Sequence, residues 1–128
     1  MKAADLMIGD WIRLTYKDKS KSQCFKVDTL LMQAFLGGVG AWCMDDKIIE
    51  PIPLTKEILE LNGFTGNNLF QLKVNSVNIE ISLFGGYPMY IDYPTWRYCL
   101  PMPKYVYQLQ HYLRDCGLDE LADNFRVE

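Results

Sequence analysis

The sequence has no long hydrophobic run. Its longest apolar stretches, such as residues 34–39, are far shorter than the roughly 20 residues that a membrane-spanning helix needs. The N-terminal segment MKAADLMIGDW carries Asp5 and Asp10 where a signal peptide would need an uninterrupted apolar region. These absences predict a soluble cytoplasmic protein that has no membrane partner.

The chain also has no excess of positive charge. Its 13 lysines and arginines are outnumbered by 16 aspartates and glutamates, which gives a formal net charge of −3. The balance is similar in both halves: residues 1–64 carry 8 positive and 9 negative side chains, and residues 65–128 carry 5 and 7. Because nucleic-acid affinity comes largely from Lys and Arg that displace counterions, nucleic acid is a less favoured partner than protein.

Cysteine and histidine are scarce and are not grouped. The four cysteines, at positions 24, 43, 99 and 116, form no C-x-x-C pair, and His111 is the only histidine. Structural zinc sites usually draw closely spaced pairs of ligands, so we predict no metal site and no cofactor. The thiols are expected to be reduced and mostly buried. No signature of a nucleophile accompanies His111, and we therefore predict no catalytic residues and no enzymatic activity.

The first 53 residues have the pattern of a small β structure. The segments DWIRLTY and QCFKVDTLLM alternate in polarity on either side of the polar KDKSKS, which predicts a hairpin whose first strand follows a tight turn at Gly9-Asp10. Glycines 37, 38 and 40 predict a second turn, Ala41–Met44 a third strand and Lys47–Ile52 a fourth, which Pro51 and Pro53 confine to an edge. The pattern predicts an SH3-like small β-barrel over residues 1–53.

The Pro-Ile-Pro segment at 51–53 is expected to join two structural units. Each proline fixes φ and pushes the preceding residue toward extended geometry, so a new element must begin after it. Thr55 is suited to cap a short helix that Asn62-Gly63 ends, with Phe64 closing against Leu59. No ligand is needed to explain this segment.

Residues 54–128 are predicted to continue as a helix-covered antiparallel sheet. The segments LFQLKV and VNIEISLF alternate cleanly, Gly85-Gly86 supplies the next turn, and Tyr87–Tyr93 and Thr95–Leu100 predict two further strands. A final long helix is predicted over about residues 104–116, with Val106, Leu109 and Leu113 on its apolar face. We expect an α+β fold whose two units, 1–53 and 54–128, pack separately or as one domain.

One aromatic stretch is the main candidate for a protein-binding site. GYPMYIDYPTWRY contains Tyr87, Tyr90, Tyr93, Trp96 and Arg97, and these residue types are enriched at interface hot spots. The alternative is that one face of this strand packs on the last helix and the other is partly covered. We favour a non-enzymatic module that binds a protein partner or its own copy through these residues.

A lysine-rich turn carries the alternative function. Lys17, Lys19, Lys21 and Lys26 lie in or near the predicted hairpin, where they could contact phosphates while an exposed tyrosine stacks on a base. A charged hairpin tip is more often simply solvated. Under this alternative the protein is a nucleic-acid accessory protein.

Three blocks of the sequence together carry a resemblance to other proteins. They are Ile8-Gly9-Asp10-Trp11, the central Pro51-Ile52-Pro53-Leu54-Thr55 with Asn62-Gly63-Phe64, and Tyr105-Val106-Tyr107-Gln108-Leu109-Gln110-His111 with Cys116-Gly117-Leu118. With them the chain resembles a group of small uncharacterised bacterial proteins that are often encoded by prophages or other mobile elements. The likeness spans nearly the whole chain. It implies a shared architecture and a bacterial cytoplasmic setting, and it supplies no catalytic residue.

Overall fold

Two antiparallel sheets and four α-helices form an α+β fold in the computed structural model, which describes residues 1–128. The first sheet has the order β2-β1-β3 and comprises β1 (Trp11–Tyr16), β2 (Ser22–Lys26) and β3 (Lys47–Glu50). The second has the order β4-β5-β6-β7 and comprises β4 (Leu69–Val74), β5 (Val77–Ser82), β6 (Met89–Asp92) and β7 (Arg97–Leu100). The helices are α1 (Thr29–Phe35), α2 (Lys56–Leu61), α3 (Val106–Asp115) and α4 (Asp119–Asp123). None of them is long and apolar enough to cross a membrane.

The hairpin predicted near the N-terminus is present as β1 and β2. Gly9 adopts φ +96°, which favours glycine, immediately before the chain enters β1. Leu14 lies between Gln23 of β2 and Ile49 of β3, so β1 is the central strand. The position of β3 at an edge is confirmed: the strand ends at Glu50, before the two prolines that cannot donate to a ladder.

Two of the strands predicted in the N-terminal unit are wrong. Thr29–Met32, expected to extend β2, instead begins α1, because the Asp28 side chain accepts a hydrogen bond from Leu31 N at 2.8 Å and caps the helix. Ala41–Met44, expected to be a strand, is a 3₁₀ helix that follows Gly40. The remaining three strands form no closed barrel, so the SH3-like barrel is not confirmed.

The short helix after the prolines is confirmed with both of its ends. The hydroxyl of Thr55 accepts a hydrogen bond from Ile58 N at 3.3 Å. At the other end Gly63 has φ +91°, and Phe64 N donates to Leu59 O at 3.0 Å, as in a Schellman motif. The four-stranded meander is also confirmed, and its two central strands, β5 and β6, bury alternate residues.

The main core lies between the second sheet and the helices. Its 16 buried residues include strand residues such as Ile79, Ile81 and Ile91 and the α3 residues Leu109 and Leu113. The predicted apolar stripe of the last helix is therefore confirmed. The C-terminal tail, for which the sequence left a helical turn or a strand open, forms α4, which contributes the buried Ala122.

The Pro-Ile-Pro segment is anchored on the C-terminal unit. Ile52 O accepts from Val106 N at 2.9 Å, and Leu54 N donates to Lys104 O at 2.9 Å, so the segment runs antiparallel to the chain that enters α3. Ile52 is only 2% exposed and belongs to the main core. These contacts fix the connector in place at the predicted unit boundary.

Candidate functional site

Three aromatic side chains meet where β6 turns into β7. The Tyr93 ring lies 5.5 Å from Trp96 and 5.7 Å from Tyr98, measured between ring centroids. The Tyr93 hydroxyl donates a hydrogen bond to Cys116 O, which ties this turn to the end of α3. Burial raises the pKa of Tyr93, whereas Trp96 remains 59% exposed. The result is a supported aromatic cluster with one side open to solvent.

Tyr90 and Arg97 lie on the opposite face of the sheet, which no helix covers. Asp92 and Arg97 are paired across β6 and β7, and the guanidinium donates to both carboxylate oxygens, at 2.5 and 3.0 Å. The same guanidinium lies 4.3 Å from the centroid of the Tyr90 ring. Both side chains are therefore already engaged with neighbours in the same chain.

Tyr87 stands apart from the other predicted residues. It precedes β6, whereas Trp96 follows the far end of that strand, and it is 64% exposed. The five residues proposed from the sequence thus fall into three places: the cluster of Tyr93 and Trp96, the ion-paired face with Tyr90 and Arg97, and the isolated Tyr87.

The outer edge of β7 is unpaired, unlike the opposite edge of the sheet. Tyr93 N donates to Trp96 O at 2.8 Å, and hydrogen-bonded pairs alternate along an antiparallel ladder. The peptide groups of Arg97 and Cys99 therefore point away from β6. At the other edge, Thr65 and Gln71 exchange two backbone hydrogen bonds of 2.9 Å, so part of β4 is covered. Sequence reasoning did not identify this difference, since it depends on the strand order.

The four predicted lysines separate into two locations. Lys17, Lys19 and Lys21 surround the exposed turn between β1 and β2, where Lys19 adopts φ +62°. Lys26 lies at the other end of β2 and donates to Asp123 O of the α4 segment. Only three of the four lysines could therefore face one ligand at the turn.

A buried carboxylate was missed by the sequence analysis. Asp10 is fully buried; its Oδ1 accepts from Arg114 Nη1 at 2.6 Å, and its Oδ2 lies 2.6 Å from His111 Nε2 and 2.8 Å from Met7 N. An ionised group is tolerated in such a place only when it is paired and hydrogen-bonded. Its partners are the Arg114 and His111 side chains and the backbone amide of Met7, and no cysteine, serine or threonine side chain lies among them. The single histidine therefore contacts Asp10 rather than a cysteine.

Gln110 completes this junction between the two units. Its side chain accepts from Trp11 N at 2.9 Å and donates to Gly9 O at 2.8 Å and Ala122 O at 3.0 Å. Trp11 Nε1 also donates to Phe125 O at 2.6 Å. The sequence contained a signal for this group of polar residues. Gln110, His111 and Arg114 are spaced one and three residues apart and lie beside the apolar stripe of α3. We call Asp10, Gln110, His111 and Arg114 the polar junction.

The cysteines are more accessible than predicted. Cys43 and Cys99 are exposed, and Cys24 and Cys116 are half-buried, so the expectation of mostly buried thiols is wrong. Cys43 is exposed because an exposed 3₁₀ helix stands where a strand was predicted. Cys99 is exposed because it lies on the open edge strand β7. No group of three or more His, Cys, Asp and Glu side chains is placed to hold a metal ion.

Comparison with known proteins assigns no relative. No protein-family model, no curated protein and no solved structure matches this chain. The functional conclusion therefore rests on the surfaces of the molecule described above.

Proposed function

We propose that the protein is a non-enzymatic interaction module that adds a strand from a protein partner, or from a second copy of itself, to the open edge of β7. The observation that carries this proposal is the contrast between the two edges of the second sheet. The β7 edge presents the outward peptide groups of Arg97 and Cys99, while the β4 edge is capped at Gln71. Unpaired edges are templates for strand addition, and main-chain hydrogen bonds supply much of the affinity.

The aromatic cluster beside this edge supplies side-chain contacts for the same partner. Trp96 and Tyr98 are 59% and 42% exposed, yet their contacts with Tyr93 restrict their motion. Aromatic side chains that are ordered before binding lose less entropy on complex formation. Tyr90 and Arg97, proposed from the sequence, contribute through the ion-paired face of the same two strands.

The main-chain part of this proposal is tested with Cys99→Pro and its control Cys99→Ser. Proline removes an N–H that points outward and leaves the β6 ladder intact, so the fold should be retained. Sedimentation velocity across a concentration series and capture of partners from a bacterial extract are then compared. We expect Cys99→Pro to abolish an association that Cys99→Ser retains. Equal association by both variants would reject strand addition at β7.

The side-chain part is tested with a Trp96→Ala/Tyr98→Ala double variant and with Tyr87→Ala as its control. Tyr87 is as exposed as Trp96 but lies at the other end of β6. Loss of association in the double variant with retention in Tyr87→Ala supports the aromatic cluster as part of the site. A parent protein that is monomeric and captures nothing would remove the basis of the proposal.

The sequence-based alternative, a nucleic-acid accessory role, keeps one supporting feature, the exposed lysines of the β1–β2 turn. In that role the affinity of the protein for nucleic acid would fall steeply with salt concentration, because lysine–phosphate contacts release counterions. Binding of an oligonucleotide at 50 mM salt that is unchanged at 200 mM would reject it. The bacterial cytoplasmic setting and the link to prophages or other mobile elements stay predictions from the resemblance.

A further inference from the structure

The first sheet leaves half of one face uncovered. Leu31, Met32 and Phe35 of α1 and Met44 of the 3₁₀ helix pack against the small core at one end of this face. Toward the β1–β2 turn nothing covers it, and an open groove of about 650 Å³ lies there. Its floor is formed by Leu14, Tyr16 and Phe25. The two segments expected to close a barrel are helical, and they cover only the other end of this face.

Lysines flank this groove from both outer strands. Lys21 immediately precedes β2 and Lys47 begins β3, while Tyr16 of the central strand lies between them. Lys47 is held in position by hydrogen bonds from its Nζ to Cys43 O at 2.7 Å and to Asp46 Oδ1 at 2.9 Å. Asp46 partly compensates the charge of Lys47, whereas Lys21 forms no ion pair, so Lys21 is the ammonium available to a ligand carboxylate beside the apolar floor.

The surrounding turn adds to the positive field. Lys17 and Lys19 are exposed next to Lys21, and the intervening Asp18 accepts a hydrogen bond from Ser20 N at 2.9 Å within the turn itself. Lys17, Lys19, Lys21 and Lys47 outnumber Asp18 and Asp46 at this end of the first sheet, which leaves a small local excess of positive charge in a chain whose net charge is −3. The charge complementarity of the site therefore selects an anionic partner.

The aromatic floor distinguishes between two classes of anionic partner. Single-stranded nucleic acids bind by stacking bases on free aromatic faces. The Lys47 ammonium lies 4.9 Å from the centroid of the Tyr16 ring and so occupies one of its two faces, which reduces the aromatic surface on which a base could stack. An extended peptide needs no such face, since its apolar side chains require only contact area.

We infer that the groove beside Tyr16 binds an extended acidic peptide, with a carboxylate at Lys21 and apolar side chains over Leu14 and Phe25. The site belongs to the first sheet and shares no residue with the β7 edge. A negative result for strand addition at β7 would therefore not affect this inference. A molecule with both surfaces would connect two different partners.

The test uses a fluorescein-labelled decapeptide of alternating glutamate and leucine, its lysine-leucine counterpart and a decathymidylate. Fluorescence anisotropy gives the affinity, and amide chemical shifts of the full-length protein give the location. We expect saturable binding of the acidic peptide alone, with the largest shifts at Tyr16, Lys21, Phe25 and Lys47. Lys21→Glu should weaken binding about fivefold or more, because it replaces an attraction with a repulsion.

The matched control is Lys104→Glu, which makes the same change of charge at an exposed position in the C-terminal unit. It should leave the affinity for the acidic peptide within about twofold, since screening at physiological salt limits effects over long distances. The inference is overturned by any of three results. These are an equal effect of both variants, tighter binding of decathymidylate than of the peptide, and no saturable shift in the groove up to 1 mM peptide.

Discussion

The two sheets of this molecule differ most in how much core each one has. The C-terminal sheet shares a cluster of 16 buried residues with its helices, whereas the N-terminal sheet has a cluster of four, Leu6, Ile12, Leu14 and Val27. Burial of one large apolar side chain contributes about 1.5–3 kcal/mol. The small cluster alone therefore contributes little stability to an independent unit. The polar junction with α3 adds further stabilisation.

A second difference concerns the surfaces of the two units. In the N-terminal unit α1 has no fully buried residue, and Leu30, Val39 and Trp42 are 70%, 77% and 77% exposed. In the C-terminal unit α3 buries four of its ten residues. Helix α3 is therefore the element that both units share: its apolar face completes one core, and its neighbouring polar face holds the other unit in position.

The largest effect is expected from Leu109→Ala, which opens a cavity in the main core. Leu109 is fully buried, and truncation of such a leucine destabilises a protein by about 3–5 kcal/mol. Leu14→Ala in the small core, which relaxes more easily beside the open groove, should cost about 2 kcal/mol. Urea denaturation of both variants checks the order. A larger loss for Leu14→Ala would reverse the comparison of the two cores.

The next largest effect is expected from Asp10→Asn. The neutral amide removes the nearer of the two carboxylates that pair with Arg114, whose side chain is only 13% exposed, and leaves only Asp123 Oδ1 at 3.6 Å from Nε. We expect a loss of about 2–3 kcal/mol in the free energy of unfolding, as for hydrogen bonds to charged groups. Asp115→Asn, at an exposed position of the same helix, is the control and should change little. An equal, small change in both variants would mean that the junction is dispensable.

A smaller and pH-dependent effect is expected from Tyr93→Phe. Near neutral pH the variant loses the hydrogen bond from the phenol to Cys116 O, which costs about 1 kcal/mol. Burial raises the pKa of Tyr93, so its contribution is complete below the unfolded pKa and is lost as the pH rises through the higher folded value. The parent should therefore lose more stability than the variant above about pH 10.

Urea midpoints at neutral and alkaline pH provide this measurement. Burial also raises the pKa values of Tyr107 and Cys116, and their contribution is common to both proteins. Tyr87→Phe, at an exposed tyrosine, is the control and should follow the parent across the range. A gap between parent and Tyr93→Phe that widens with rising pH would have the wrong sign.

The smallest effect is expected from Trp42→Ser. Trp42 is 77% exposed in the 3₁₀ helix of the N-terminal unit, and substitution of such a residue usually changes stability by less than about 0.5 kcal/mol. Thermal unfolding should place the variant within the error of the parent. A marked loss of thermal stability would show that the 3₁₀ helix packs more tightly on the N-terminal unit than the exposure of Trp42 indicates.

Elements whose signals are local were predicted well from the sequence. The Thr55 cap, the Gly63 termination and the alternating strands of the meander need only neighbouring residues, and all are present. The strand expected at Thr29–Met32 failed because the alternation of β2 stops at Asp28, whose side chain caps a helix. The cap signal was as local as the others, but the apolar residues after it also fit an extended strand.

Features that join distant parts of the chain could not be predicted from the sequence. Asp10 and Arg114 are 104 residues apart, so their pairing depends on how the two units dock. The separation of Tyr87 from Trp96 and the exposure of the β7 edge likewise depend on strand order, and the covering of β4 depends on the bridge between Thr65 and Gln71. Residue types pointed to the right segments, while the arrangement of their side chains required the fold.

Amide hydrogen exchange of Gln110→Ala tests the central claim most directly. Gln110 is buried and makes three hydrogen bonds that join α3 to Gly9, Trp11 and Ala122. If α3 holds the N-terminal unit in position, the amides of β1 and β2 should lose protection in the variant, while those of β5 and β6 keep most of theirs. Unchanged protection in β1 and β2 would contradict the account, since the small core would then be sufficient on its own.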